Sequence, residues 1–179
     1  MITRAIRYYF RERSNWDKTA DSVDVIPMQG VCWEAYLGKW YEWARFETPF
    51  EYGMDNVHTL YEAMDNGDIA ITNCGTDEQG KTHKARAIAS RDGEGILQVS
   101  FIPWMRFLST PYIVLYVDEE YSHALVSNAS GSCLWLLGRA PSFTEEQLTT
   151  LCTQAAARGF NVQRLRFTHQ VEEPTLDNA

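Results

Sequence analysis

The sequence has no long hydrophobic run. No stretch approaches the ~20 consecutive apolar residues of a membrane-spanning helix, so it offers no candidate for one. Near the start the longest apolar run is Tyr8-Tyr9-Phe10, well short of the ~7–15 apolar residues at the centre of a secretory signal. Read at face value, that predicts a cytoplasmic or peripheral membrane protein. Positive charge is also scarce. Lys and Arg total 16 against 24 Asp and Glu, for a formal net charge of −8. An acidic surface repels phosphate backbones, so no nucleic-acid partner is expected. Cys32, Cys74, Cys133 and Cys152 form no C-x-x-C pair, which removes the usual zinc and redox motifs. A reducing compartment would keep them as thiols, and an oxidising one would leave three pairings open. His58, His83, His123 and His169 lack metal-ligand spacing. No metal or cofactor is therefore expected.

What the chain does have is apolar and aromatic side chain. Its 179 residues are 45% hydrophobic and 13% aromatic, enough for the core of one domain plus an extension. Charge is unevenly spread. Residues 1–13 carry +3, from Arg4, Arg7, Arg11 and Arg13 against Glu12, and the remainder carries −11. At helical spacing, Ile2, Ile6, Tyr9 and Phe10 fall on one face and Arg4, Arg7 and Arg11 on the other. Such a segment suits an anionic membrane surface, although a frayed, solvated terminus is the simpler reading. Residues 14–35 read as a polar, irregular approach, so 1–35 form an extension ahead of the folded domain.

From Gly38 the pattern changes to short runs with period-two alternation. Strands are predicted near 40–46, 57–64, 68–74, 83–89, 95–101, 112–118, 122–127 and 133–139. The dividers Asp65-Asn66-Gly67, Asp77-Glu78-Gln79-Gly80, Arg91-Asp92-Gly93-Glu94-Gly95 and Asn128-Ala129-Ser130-Gly131 supply turn residues. Eight consecutive strands with short links predict an all-β fold, an eight-stranded antiparallel up-and-down β-barrel. The period then becomes helical. Thr144 with Gln147 forms a capping box. Leu148, Leu151, Cys152 and Ala155 recur on one face, and Gly159 ends the run. One C-terminal α-helix over 145–158 is expected to pack outside the barrel. A short final strand follows from Val162 to Thr168, and 171–179 read as a loose tail.

Three blocks carry a family resemblance. Gly38-Lys39-Trp40-Tyr41-Glu42-Trp43-Ala44-Arg45 resembles the G-x-W block that opens lipocalin barrels. Tyr116-Val117-Asp118-Glu119-Glu120-Tyr121-Ser122-His123-Ala124-Leu125-Val126 resembles the block at the turn between the sixth and seventh strands. Trp135-Leu136-Leu137-Gly138-Arg139 resembles the arginine block closing the eighth. Over residues 36–170 the chain is similar to the lipocalin (calycin) family. The nearest branch is the bacterial, Blc-like one, which includes plant temperature-induced lipocalins and apolipoprotein D. The resemblance implies a carrier, not an enzyme, holding a fatty acid or lysophospholipid for membrane lipid storage, transport or maintenance. Bacterial members of the branch are usually outer-membrane lipoproteins, which offers the outer membrane or periplasm as a second location.

In an up-and-down barrel the first strand starts, and the eighth ends, at one pole, where the sixth–seventh turn also falls. Trp40, Asp118, Tyr121 and Arg139 should therefore meet there and close it, with Arg139 stacked on Trp40. Strand parity then gives the lining. The expected ligand contacts are Ala44, Thr59, Tyr61, Leu97, Val99, Phe101, Tyr112, Val114, Tyr116, Trp135 and Leu137, with the ligand's polar head near the mouth. Glu42 shares the inward face with Trp40 and needs a partner or a proton. Around the mouth, the apolar run 101–108 is expected either to form a lip, with Trp104, Met105, Phe107 and Leu108 contacting ligand tails or a bilayer, or to be buried in a dimer contact or under a neighbouring loop. The protein is read as a monomer or homodimer. The rival readings are a lipid-acting enzyme of the same fold and a haem or pigment carrier. Neither an inward cysteine with a base nor an inward histidine is predicted for them.

Overall fold

The computed structural model describes residues 23–102 and 109–171. The basic segment 1–13, Trp104 with the rest of the run 103–108, and the tail beyond 171 lie outside the described residues. The elements are α1 (Trp33–Tyr36), β1 (Gly38–Phe46), β2 (Asp55–Ala63), β3 (Ile69–Thr76), β4 (Thr82–Arg91), β5 (Ile96–Ser100), β6 (Thr110–Val117), β7 (His123–Ser127), β8 (Leu134–Gly138), α2 (Glu145–Ala157), a 3₁₀ turn (Val162–Arg164) and β9 (Leu165–Phe167).

Strands β2 to β8 pair in chain order, β8 pairs with β1, and β1 returns to pair with β2. All these pairings are antiparallel. The sheet is therefore a closed eight-stranded barrel, and closure removes the exposed strand edges that invite misassembly. Beyond Tyr41, β1 leaves β2 and pairs with β9 instead. The expected last strand is thus half 3₁₀ turn and half strand.

Two apolar clusters follow from the alternation. The inner one contains Trp40, Tyr61, Ile71, Ala87, Leu97, Val99, Val114, Val126 and Leu137. The outer one joins Trp43, Leu115, Leu125, Leu134 and Leu136 to Leu151 and Ala155 of α2 and to Phe160. The helix packs on the outside through that stripe. Its start is fixed by the capping box, in which Thr144 accepts from the Gln147 N–H and Gln147 accepts from the Thr144 N–H. Satisfying two N–H groups that lack helical partners makes such a start worth ~1 kcal/mol.

The residues ahead of β1 are not a mere approach. Met28 donates its N–H to the Val114 carbonyl, and Val31, Trp33 and Tyr36 are buried. Gly95, at φ +67, lets this segment cross closely, since a Cβ there would lie 2.6 Å from the Met28 carbonyl oxygen. Arg158, after α2, ties the segment down through the carbonyls of Ile26 and Leu115 and through Asp24. The helix α1 then sits beneath Trp40 as a floor.

Candidate functional site

Trp40, the first inward residue of the barrel, is fully buried. Its indole N–H donates to the Tyr36 carbonyl at 2.8 Å, and its ring stacks on that of Tyr36 with centroids 4.8 Å apart. Arg139 covers the other side, its guanidinium carbon 4.0 Å from the Trp40 ring centre. The same guanidinium donates to the carbonyls of Tyr121, Lys39 and Ala35. It thus links the β6–β7 turn, β1 and α1. Asp118 organises that turn by accepting from the N–H groups of Ser122 and His123 and from the Ser122 hydroxyl. These bonds hold the Asp118 carboxyl below its usual range even though burial pushes it up. Tyr121 sits at φ +54 and receives the Cys32 N–H on its hydroxyl at 2.7 Å. The structure therefore brings Trp40, Asp118, Tyr121 and Arg139 together at one pole and seals it.

Above the floor, the inner wall holds Tyr61, Leu97, Val99, Tyr112, Val114, Trp135 and Leu137. Thr59, opposite Trp40 on β2, also faces in and donates to Asn73 at 2.7 Å. Tyr36, Tyr61 and Tyr112 form a hydroxyl cluster, with 2.7 Å between Tyr36 and Tyr112 and 2.9 Å between Tyr61 and Tyr112. Burial raises all three phenols above their ordinary range. They remain neutral hydrogen-bonding groups.

Three expected lining residues do not face the interior. Ala44 lies in the outer cluster. The β1–β8 register shifts between Glu42 and Ala44, so Glu42 faces Leu137 while Ala44 faces the outward Leu136. An extra residue on one strand reverses the parity of everything after it. Tyr116 is displaced in the same way. The β6–β7 register shifts between Val114 and Tyr116, which pairs Tyr116 with the outward Leu125. Val117 takes the interior position instead. Phe101 lies past the end of β5 at Ser100 and is 38% exposed. The strand has ended, so alternation no longer aims the side chain.

The bulge in β1 also places a residue that the parity argument missed. Arg45 pairs across the sheet with the inward Trp135 and is 0% exposed. It donates to the Glu42 and Glu47 carboxylates and to the carbonyls of Glu51 and Met54. Burial acts against its charge, but the facing carboxylates of Glu42, Glu51 and Glu47 prevail and raise its pKa. Arg45 thereby anchors the 47–54 loop at the open end. Glu42 gains Thr168 as a second donor at 2.6 Å. Part of Glu51 is exposed, yet its carboxyl turns inward to accept from the Trp135 indole at 3.1 Å. Burial first, and then the neighbouring Glu42 charge, push it up to about 8. The sequence signal for this cluster was present, since Glu42, Arg45, Glu47 and Glu51 fall within ten residues. Only the bulge turns the arginine toward the acids.

A sealed floor, an apolar and aromatic wall and a polar rim are the parts of a calyx, the arrangement in which barrels of this size hold a small ligand. The Lipocalin-like domain family matches residues 32–170, and the chain belongs to the lipocalin family, whose members bind small hydrophobic ligands. It is 35% identical over 140 residues to the outer membrane lipoprotein Blc of Citrobacter freundii, covering 75% of this chain and 77% of that protein. It is 30% identical over 169 residues to temperature-induced lipocalin-1 of Arabidopsis thaliana, covering 85% and 86%. Among solved structures, the cockroach allergen Per a 4 superposes with a TM-score of 0.69 at 18% identity, covering 84% of this chain and 96% of that one. That likeness concerns the fold alone. The cytoplasmic expectation finds no support in these relatives, since the name of the Citrobacter protein places it at the outer membrane.

Proposed function

We propose that this protein is a lipid carrier that holds one single-chain lipid, a fatty acid or lysophospholipid, inside the barrel, and that it serves membrane lipid storage, transport or maintenance. The observation that carries the reading is the largely apolar inner wall above a floor sealed by Trp40 and Arg139. Each methylene moved from water onto such a wall gains ~0.8 kcal/mol. A long chain therefore binds tightly with little help from its head. The names of the bacterial relatives extend the reading to a location at the outer membrane or its periplasmic face. The ligand-contact residues in this reading are Thr59, Tyr61, Leu97, Val99, Tyr112, Val114, Trp135 and Leu137.

Native mass spectrometry of the purified full chain, followed by lipid extraction, tests this directly. The expected result is an adduct with the mass of a single-chain lipid, released on extraction and restored on adding fatty acid. A chain that purifies empty and takes up neither fatty acid nor lysophospholipid removes the proposal. A coloured, haem- or pigment-loaded protein would replace it with the pigment-carrier reading.

A further inference from the structure

The inner face of the barrel changes polarity along its axis. At the floor, among the described residues, the Tyr36, Tyr61 and Tyr112 hydroxyls hydrogen-bond only to one another. Three phenols bring three protons, and their two mutual bonds use two. Tyr61 donates to Tyr112. Whichever way the Tyr36–Tyr112 proton points, one O–H is left without an acceptor. The spare O–H belongs either to Tyr36, which is 1% exposed, or to the half-buried Tyr112, so that donor is held largely out of water, where an unmade hydrogen bond is costly. Beneath lies Arg139, whose hydrogen bonds go to the carbonyls of Ala35, Lys39 and Tyr121. Among the described residues no carboxylate pairs with it, and its charge acts on both Tyr36 and Tyr61, with Glu51 acting on Tyr61 in the opposite sense.

The open end has the opposite character. Glu42, Glu47 and Glu51 gather around Arg45, and the Glu51 carboxyl occupies the Trp135 indole donor. An anionic head placed there meets the Glu42 and Glu47 carboxylates, and both terminal nitrogens of the arginine it needs are already engaged with them. Between the two ends the wall is mostly apolar, with Ile71, Ala87, Val99, Val114, Val126 and Leu137 and the Thr59–Asn73 pair.

We propose that the barrel binds a single-chain amphiphile head first, with a small oxygen-acceptor head such as a carboxyl group on the tyrosine cluster at the closed pole and the hydrocarbon tail running to the mouth. This reverses the head-at-mouth order expected from the sequence. It rests on the carrier reading and deepens it, because it selects fatty acids over lipids with bulky phosphate heads. One free O–H in a dry corner suits one small acceptor. Arg139 behind the Trp40 ring supplies positive potential without needing to touch the ligand.

The experiment uses the full chain loaded with palmitate isotope-labelled at its carboxyl carbon, read by NMR across roughly pH 3 to 7, which brackets the ~4 near which a solvated carboxyl titrates. Tyr112→Phe and Tyr36→Phe are measured beside it. A head held at the floor gives a bound carboxyl resonance that does not move with pH and that shifts in Tyr112→Phe. Affinity then weakens about tenfold in that variant, the size of one buried hydrogen bond. A bound resonance that titrates like a solvated carboxyl, and that both Phe variants leave unchanged, overturns the head-first orientation while the carrier reading stands. No bound resonance, in a protein that also shows no lipid adduct in the mass spectrometer, overturns both. The pH titration of the unsubstituted protein decides the orientation even where a variant folds poorly.

Discussion

Arg139 lies 4.0 Å from the centre of the Trp40 ring and donates to three backbone carbonyls from three separate segments. One side chain therefore stacks on the floor of the barrel and ties the last residues of the β8 end to α1, β1 and the β6–β7 turn.

That geometry predicts what its loss does. A cation–π contact contributes ~0.5–2 kcal/mol, and a charge-assisted hydrogen bond ~1.5–3 kcal/mol. Removing them together in Arg139→Ala is expected to cost about 3 kcal/mol or more of unfolding free energy, read as a lower urea midpoint. The binding free energy of a fatty acid should change by less. A variant that keeps the full midpoint but binds no lipid would contradict a closing role for Arg139.

Gly138 is a second pressure point. A Cβ built there would lie 1.8 Å from the Trp43 ring, whose N–H is fixed on the Ala140 carbonyl at 2.8 Å. Gly138→Ala is expected to destabilise by ~1–3 kcal/mol through overpacking. In a Trp43→Leu background the same change should cost distinctly less. Equal costs in the two backgrounds, measured by chemical denaturation, would show that the ring is not the obstacle.

The strands, the outside helix and its capping box were legible because each has a local signature. Thr144 and Gln147 sit three apart, and period two gives way to period 3.6 within a few residues. The family blocks located Trp40, Asp118, Tyr121 and Arg139. Ala44 and Tyr116 were misplaced because a bulge is a property of two paired strands, and alternation within one strand carries no sign of it. Residues 28–36 gave no periodic signal because they close the barrel through single contacts, such as Met28 with Val114 and Tyr36 with Trp40. The Arg45 cluster was hidden for the same reason as Ala44, since the bulge that sends the alanine out turns the arginine in.

That buried ion pair gives a third expectation. Arg45 is fully buried with Glu42 beside it. Removing one member strands the other, at a cost of ~3–5 kcal/mol. Glu42→Ala and Arg45→Ala should each fall in that range. Replacing both with apolar residues, Glu42→Leu with Arg45→Met, should cost less than the sum of the single changes. Arg45→Ala should also raise backbone amide exchange in the 47–54 loop, whose Glu51 and Met54 carbonyls it holds. Strict additivity would mean the two side chains act independently.

Glu51 sets the direction of the pH dependence. Its carboxyl is pushed up to about 8, by burial first and by the Glu42 charge second, while an unfolded glutamate titrates near ~4.3. Between those values the folded chain holds a proton that the unfolded chain has released. Stability from this group is therefore full below the unfolded pKa and falls as pH rises, by ~1.4 kcal/mol per pH unit at most. It is lost on passing the folded pKa. Denaturation midpoints should decline from about pH 5 to 8, the reverse of the usual effect of a paired carboxylate. Glu51→Gln keeps the shape and cannot ionise, so its profile should be flatter over that window and its stability higher at the upper end. If Glu51→Gln and the unsubstituted protein give parallel curves, the titrating group is not Glu51.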